Sequence, residues 1–358
     1  FSIYFMSRLD RYVFMPSFSI TPNKIALYNQ VFIRDRANSE LKSIHDFKKS
    51  RNHITAKITD KNIVTKKHHN FKISDNAFRT IKKKINWLYY LAKPKSVKTY
   101  NGKSIYNFKC AFITLTLPSK QKECTADITS NYFNQFLTEI RQRTKMNNYV
   151  WRLEFQKNGN VHYHIITDTY LDYFFVRNIW NRIISKGGYV QDYQDKFKDL
   201  NLSEYNNLVN SDKKVDFNII AKRYAKGKKD NWSQPNSVDV KSVNNNQSIA
   251  NYLSKYFAKD SKHDTIKNEL DTLENSSSLR LWYCSRSLSK LKAVSNFCEA
   301  VDFSASALVD GIDKVKKLVH RYATVYYFNI KDLPSECKKQ LSIILKSYSK
   351  SLDYIPSG

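Results

Sequence analysis

His162 and His164 stand one residue apart in "NGNVHYHIITD" (residues 158–168), directly after an Asn-Gly turn. On a strand, alternation sends both imidazoles to one face together with Ile166, while Val161, Tyr163 and Ile165 take the other. Two such histidines are either part of a metal site or two polar residues on the wet side of a sheet, and a carboxylate in register favours the metal. In the preceding run, "NYVWRLEFQ", Arg152, Glu154 and Gln156 share a face. The turn decides whether that face meets the histidines. A two-residue Asn158-Gly159 loop pairs Phe155 with His162 and sends Glu154 to the wrong side. A three-residue loop, Lys157-Asn158-Gly159, places glycine where positive φ is required and pairs Gln156 with Asn160 and Glu154 with His162. With that turn, His162, His164 and Glu154 converge on one divalent ion, leaving coordination positions for water or phosphate. Mixed imidazole and carboxylate donors suit Mn²⁺ better than Mg²⁺, whereas a phosphate substrate and cellular abundance favour Mg²⁺, so the ion stays open.

A second set of reactive side chains lies in "SIANYLSKYFAKD" (residues 248–260). On a helix, Ile249, Ala250, Leu253 and Phe257 form the buried stripe, and Tyr252, Lys255, Tyr256 and Lys259 share the adjacent face. A tyrosine hydroxyl titrates near about 10, so as a nucleophile at neutral pH it needs a nearby cation or metal. Lys255 can supply that charge or neutralise a phosphate under attack. The competing reading is an amphipathic helix with snorkelling lysines and boundary tyrosines.

Composition narrows what such groups would act on. Sixty Lys and Arg against thirty-two Asp and Glu give a formal charge of +28, and a field of that sign favours a polyanionic partner such as nucleic acid. The 24 tyrosines and 21 phenylalanines suit single strands, whose bases stack on rings while phosphates meet cations. A compositional bias towards Lys, Asn, Ile, Tyr and Phe accounts for part of the same pattern. Cys110, Cys124, Cys284, Cys298 and Cys337 form no CxxC pair, which points away from a zinc ribbon or disulfide framework and towards a reducing compartment. The opening "FSIYFMSRLDRYVFM" is broken by Arg8, Asp10 and Arg11, and no stretch reaches the roughly 18 apolar residues of a membrane span. The chain begins at Phe1 without methionine, as a fragment or truncated reading frame would. "NGKS" (101–104) lacks the first glycine of a phosphate-binding loop, since Val97 stands there.

The elements that must hold these groups read as alternating strands and helices. Residues 1–107 form a basic accessory region ending in a helix over "DNAFRTIKKKINWLYYLA". A core over 108–290 follows, and 291–358 is a C-terminal region of unread role. Within the core, "FKCAFITLTLP" is a β-rich run. A helix capped by Asp127 carries the stripe Ile128, Tyr132, Phe133, Phe136, Leu137 and Ile140. The histidine hairpin comes next, then a helix over "LDYFFVRNIWNRIISK" that ends at Gly187-Gly188. Residues 192–235 read as polar and irregular, "SVDVKSV" as a short strand and "LRLWYCS" as a last one. The hairpin demands an antiparallel pair, so the fold class is α+β with helices packed on a central antiparallel sheet.

In this order, "FITLTLP" (112–118), "HYH" (162–164) preceded by Glu154, and "YLSKYFAK" (252–259) resemble the three motifs of the HUH endonuclease superfamily and, within it, the rolling-circle replication initiators (Rep proteins). The doubled YxxK is similar to the two-tyrosine initiators of microviruses and related phages and plasmids. The resemblance spans roughly residues 78–290. It implies an RRM-like or ferredoxin-like sheet with His162, His164 and Glu154 on its exposed face and the Tyr252 helix over them. It further implies a divalent metal, Mn²⁺ or Mg²⁺, as cofactor and Tyr252 and Tyr256 with Lys255 as catalytic residues. Lys259, Arg152, Thr114 and Thr116 are then expected to contact DNA. The implied activity nicks single-stranded DNA at an origin hairpin, leaving a 5′-phosphotyrosine and a 3′-hydroxyl primer. Helicase and polymerase come from the host, in the bacterial cytoplasm and without a membrane. A relaxase, a single-tyrosine transposase and a non-catalytic nucleic-acid-binding protein are the alternatives.

Overall fold

The computed structural model describes residues 12–34, 41–43, 73–99, 102–156, 158–210, 215–243, 279–297, 304–320 and 323–351. Its strands, in chain order, begin with β1 (Tyr12–Thr21), β2 (Lys24–Arg34), β3 (Leu41–Ser43), β4 (Lys95–Lys98), β5 (Ser104–Phe108) and β6 (Cys110–Thr116). They continue with β7 (Tyr149–Phe155), β8 (Val161–Thr167), β9 (Val238–Val243), β10 (Trp282–Cys284), β11 (Val294–Phe297), β12 (Lys316–His320) and β13 (Ala323–Tyr327). The chain divides into two units, one made of residues 1–67 with 290–355 and the other chiefly of residues 68–289.

In the first unit, β1 and β2 form a long antiparallel hairpin across Pro22-Asn23, with Pro22 presetting the backbone of the turn. The sheet order is β11-β1-β2-β13-β12, and β3 adds to β2. The amino-terminal segment, expected as a basic accessory region, and the carboxy-terminal segment, left unread, therefore supply strands to one sheet. A helix over Ser335–Ser351 closes the chain's described part, burying Leu341 and Leu345 one turn apart.

The second unit holds an antiparallel sheet in the order β10-β7-β8-β6-β9. One face carries Ile113, Leu115, Trp151, Leu153, Val161, Tyr163 and Ile165, all buried in a single core. Onto it pack a π-helical turn (Ile128–Phe133) running into α2 (Asn134–Arg143), and α3 (Tyr173–Ile184), after α1 (Asp75–Leu91) earlier in the chain has come to lie against β7. The expected stripe from Ile128 to Ile140 is buried throughout. Phe133 stacks on Tyr163 with ring centroids 3.9 Å apart, so the residue between the two histidines anchors their strand in the core. The helical segment starts at Thr125 rather than after Asp127, because the Cys124 thiol accepts from the Asp127 backbone N–H and caps it. Asp172 caps α3 by accepting from Phe174 N at 2.9 Å.

Residues 192–235, expected to be irregular, are largely helical: α4 (Tyr189–Phe197), α5 (Leu202–Asn210) and α6 (Phe217–Lys229). Tyr205, Ile220 and Trp232 make a small core of their own, against which Tyr193, Phe197 and Tyr224 pack. Bulky rings there do the work that an aliphatic stripe does elsewhere, and that hides the helical period. No described helix is long and apolar enough to cross a membrane.

Candidate active site

The hairpin between β7 and β8 turns at glycine. Gly159 has φ of +82°, its N–H donates to Gln156 O at 2.9 Å, and Gln156 N donates to Asn160 O at 2.8 Å. This is the longer of the two turns compatible with the sequence, and the register follows from it: Glu154 lies opposite His162 and Arg152 opposite His164. On the other side of β8, Thr116 lies opposite His162 and Thr114 opposite His164, and Asp239 of β9 pairs with Thr114. Cross-strand partners share a face, so two rows form, Arg152-His164-Thr114-Asp239 and Glu154-His162-Thr116.

Within these rows the polar groups satisfy one another. His164 Nε2 lies 3.1 Å from Glu154 Oε2, and His164 Nδ1 lies 3.2 Å from Thr114 Oγ1. The Arg152 guanidinium stands 3.4 Å from Glu154 Oε1, and Thr116 Oγ1 donates to Gln156 Oε1 at 3.1 Å. The imidazoles stack on each other at 4.6 Å, and Phe112 stacks on His164 at 5.3 Å. The face is accordingly less open than expected. His164 is only 4% exposed, and His162 and Glu154 are half-buried, because rings above and below His164 shield it.

Burial alone would raise the Glu154 carboxyl, but the His164 hydrogen bond and the positive charge of His164, Arg152 and His162 outweigh it and hold Glu154 below its ordinary range. Burial and the neighbouring His164 push His162 down to about 4 against the opposing pull of Glu154 and Asp239. At neutral pH the pair is therefore a carboxylate beside a neutral imidazole. Among the described residues, His162 Nε2 is buried without a hydrogen-bond partner and Glu154 Oε1 accepts no hydrogen bond. No three His, Cys, Asp or Glu side chains among the described residues stand at metal-ligand geometry, since Glu154 and His164 are joined to each other.

Of the residues singled out from sequence, His162, His164, Glu154, Arg152, Thr114 and Thr116 come together on this face. Tyr252, Lys255, Tyr256 and Lys259 lie outside the described residues. Sequence reasoning missed the latch that fixes the start of β8. Asn160 Oδ1 accepts from Gln121 N at 2.9 Å, Asn160 Nδ2 donates to Ser119 O at 2.6 Å, and Gln121 Oε1 accepts from Val161 N at 2.9 Å. Both side chains are buried, tying the segment after β6 to the histidine strand. Their one signal was a polar residue set between the turn glycine and the first core valine.

Residues 110–261, less than half of the chain, match the family model of the replication-associated protein ORF2. The match supports a replication initiator, and it takes in β6, the histidine hairpin, β9 and the doubled YxxK. No curated protein and no solved structure matches the chain.

Proposed function

We propose that the chain is a rolling-circle replication initiator that nicks single-stranded DNA by tyrosine transesterification, in the manner of two-tyrosine HUH endonucleases. The observation that carries the reading is the register of the hairpin, which puts Glu154 opposite His162 and both imidazoles on one face. Two imidazoles and a carboxylate, with His162 Nε2 and Glu154 Oε1 not engaged in hydrogen bonds, are a donor set that fits Mn²⁺ or Mg²⁺. Such an ion, when bound, polarises the scissile phosphodiester and stabilises its developing charge.

The chain's own groups do the rest. For His164 to offer Nε2 it must release Glu154 and carry its proton on Nδ1, and the Thr114 hydroxyl suits either tautomer because it donates or accepts. Arg152 holds the Glu154 carboxylate from the side away from His164. Tyr252, activated by Lys255, attacks the phosphorus: its hydroxyl loses a proton, the new O–P bond forms, the P–O3′ bond breaks, and the leaving 3′-oxygen takes up a proton. A 5′-phosphotyrosine and a free 3′-hydroxyl result, the latter a primer. Because the phosphodiester energy stays in the covalent link, Tyr256 attacks the regenerated junction and a further transesterification reseals the strand without ATP.

A nicking assay on end-labelled single-stranded DNA, with Mn²⁺ or with EDTA, tests the reading. Wild type is expected to form a covalent adduct only with the ion, and Tyr252→Phe to form none. Tyr256→Phe should form the adduct but release no unit-length circles. Cleavage at full rate in EDTA would remove the metal, and an adduct surviving in the double variant would remove the tyrosines.

A further inference from the structure

Helix α6 carries Lys222, Arg223, Lys226, Lys228 and Lys229 and not one carboxylate between Phe217 and Lys229. All five cations are exposed. Lys228 donates to Lys198 O at 2.7 Å, but Lys222, Arg223, Lys226 and Lys229 form no ion pair or hydrogen bond among the described residues. At 100° per residue, Lys229, Lys222, Lys226 and Arg223 follow one another around a single arc of the helix. The opposite arc holds Ile220, Tyr224 and Gly227, which pack on Trp232 and its neighbours. Like charges spaced i, i+4 repel, so a helix of this composition is less stable alone than with a polyanion laid along it.

The kind of polyanion follows from what the arc lacks. Proteins that hold single strands interleave cations with rings on which bases stack. Here Tyr224 is turned into the small core, and Phe217 lies on the far side of the helix from the cations. Cations without rings read phosphates alone. From Lys222 to Lys229 the helix rises about 10 Å, and a duplex presents one charge per about 1.7 Å of its axis, so several phosphates lie within reach.

We propose that the exposed arc of α6 docks the phosphate backbone of double-stranded DNA, such as a stem beside the nicked strand. The inference rests on the proposed function for the identity of the polyanion and adds a second binding surface to it. The test uses the full chain in EDTA, where binding is read without cleavage. Lys222→Gln/Lys226→Gln/Lys229→Gln and wild type are titrated by fluorescence anisotropy against a blunt duplex and a single-stranded oligonucleotide over a range of NaCl concentrations. On the duplex, the slope of log K against log salt is expected to fall by about 2 to 3, at about 0.9 for each phosphate no longer neutralised, with at least about a tenfold drop in affinity at low salt. On the single strand the affinity should change less than about twofold, since the stacking platforms are elsewhere. Removing like charges leaves the fold at least as stable. Should the triple variant nevertheless unfold, Lys226→Gln alone reads the same effect as a slope change of about 0.9. An unchanged duplex slope would overturn the proposal, and so would an equal loss on both DNAs. Failure of the proposed function is distinct: wild type would then nick nothing, whatever its duplex affinity.

Discussion

Asn160→Ala removes the latch without touching the residues of the site. The substitution deletes the acceptor of the Gln121 N–H and the donor to Ser119 O, at 2.9 and 2.6 Å. Asn160 is 2% exposed and Gln121 3%, so water does not readily replace either bond. An unsatisfied buried group costs about 1–3 kcal/mol, which puts the loss at roughly 2–5 kcal/mol for the two. Asn160→Asp keeps the acceptor, loses the donor and should cost about half as much, plus the burial of a charge. The chain's five tryptophans, Trp87, Trp151, Trp180, Trp232 and Trp282, all belong to the second unit. Urea unfolding followed by tryptophan fluorescence therefore reports on that unit by itself, which a two-unit chain otherwise prevents. If Asn160→Ala lowers its stability by less than about 1 kcal/mol, the hydrogen bonds are not what fixes the start of β8.

Further outcomes follow from the same geometry. His162→Ala or His164→Ala should abolish nicking while leaving DNA affinity within about twofold, since the imidazoles serve chemistry and the cationic surface serves binding; a parallel loss of both would refute the division. Glu154→Gln should weaken Mn²⁺ binding by about tenfold or more in calorimetry, and unchanged affinity would exclude Glu154 as a ligand. His162 falls from 6.5 to about 4 in the folded protein, so between those values the unfolded chain holds a proton that the folded one does not. Stability of the second unit should therefore rise with pH across that window, by up to about 3 kcal/mol, and His162→Gln should flatten the rise. Gly227→Ala would drive a methyl group into the Trp232 ring, and although alanine gains about 1 kcal/mol of helix propensity, overpacking of about 1–3 kcal/mol should leave the variant less stable.

The hairpin register was legible because it is local: a glycine at the third loop position fixes the turn, and the turn fixes which side chains oppose each other. The Ile128 to Ile140 stripe was legible through its helical period. The burial of His164 was not, because it depends on Phe112, which comes from β6 far earlier in the chain. The Asn160 and Gln121 latch joins two loops, where no periodicity exists to read. Helices α4 to α6 were hidden by their aromatic core, and the first sheet by its pairings, since Ser17 meets Phe297 and Ala26 meets Val325 across most of the chain.

That last pairing sets an order of events during synthesis. β1 and β2 leave the ribosome first, yet their sheet is completed only by β11 and β13, and the residues between Arg34 and Val294 include the whole described part of the second unit. At about 5–20 residues per second, the hairpin waits tens of seconds with both edges unpaired. The second unit, contiguous in sequence, has every strand it needs before the first can close. A nascent chain halted near residue 290 should thus already protect the histidine hairpin from protease while its amino-terminal strands are still cut. Unpaired strands of that kind are the part of the molecule most prone to pair with another copy.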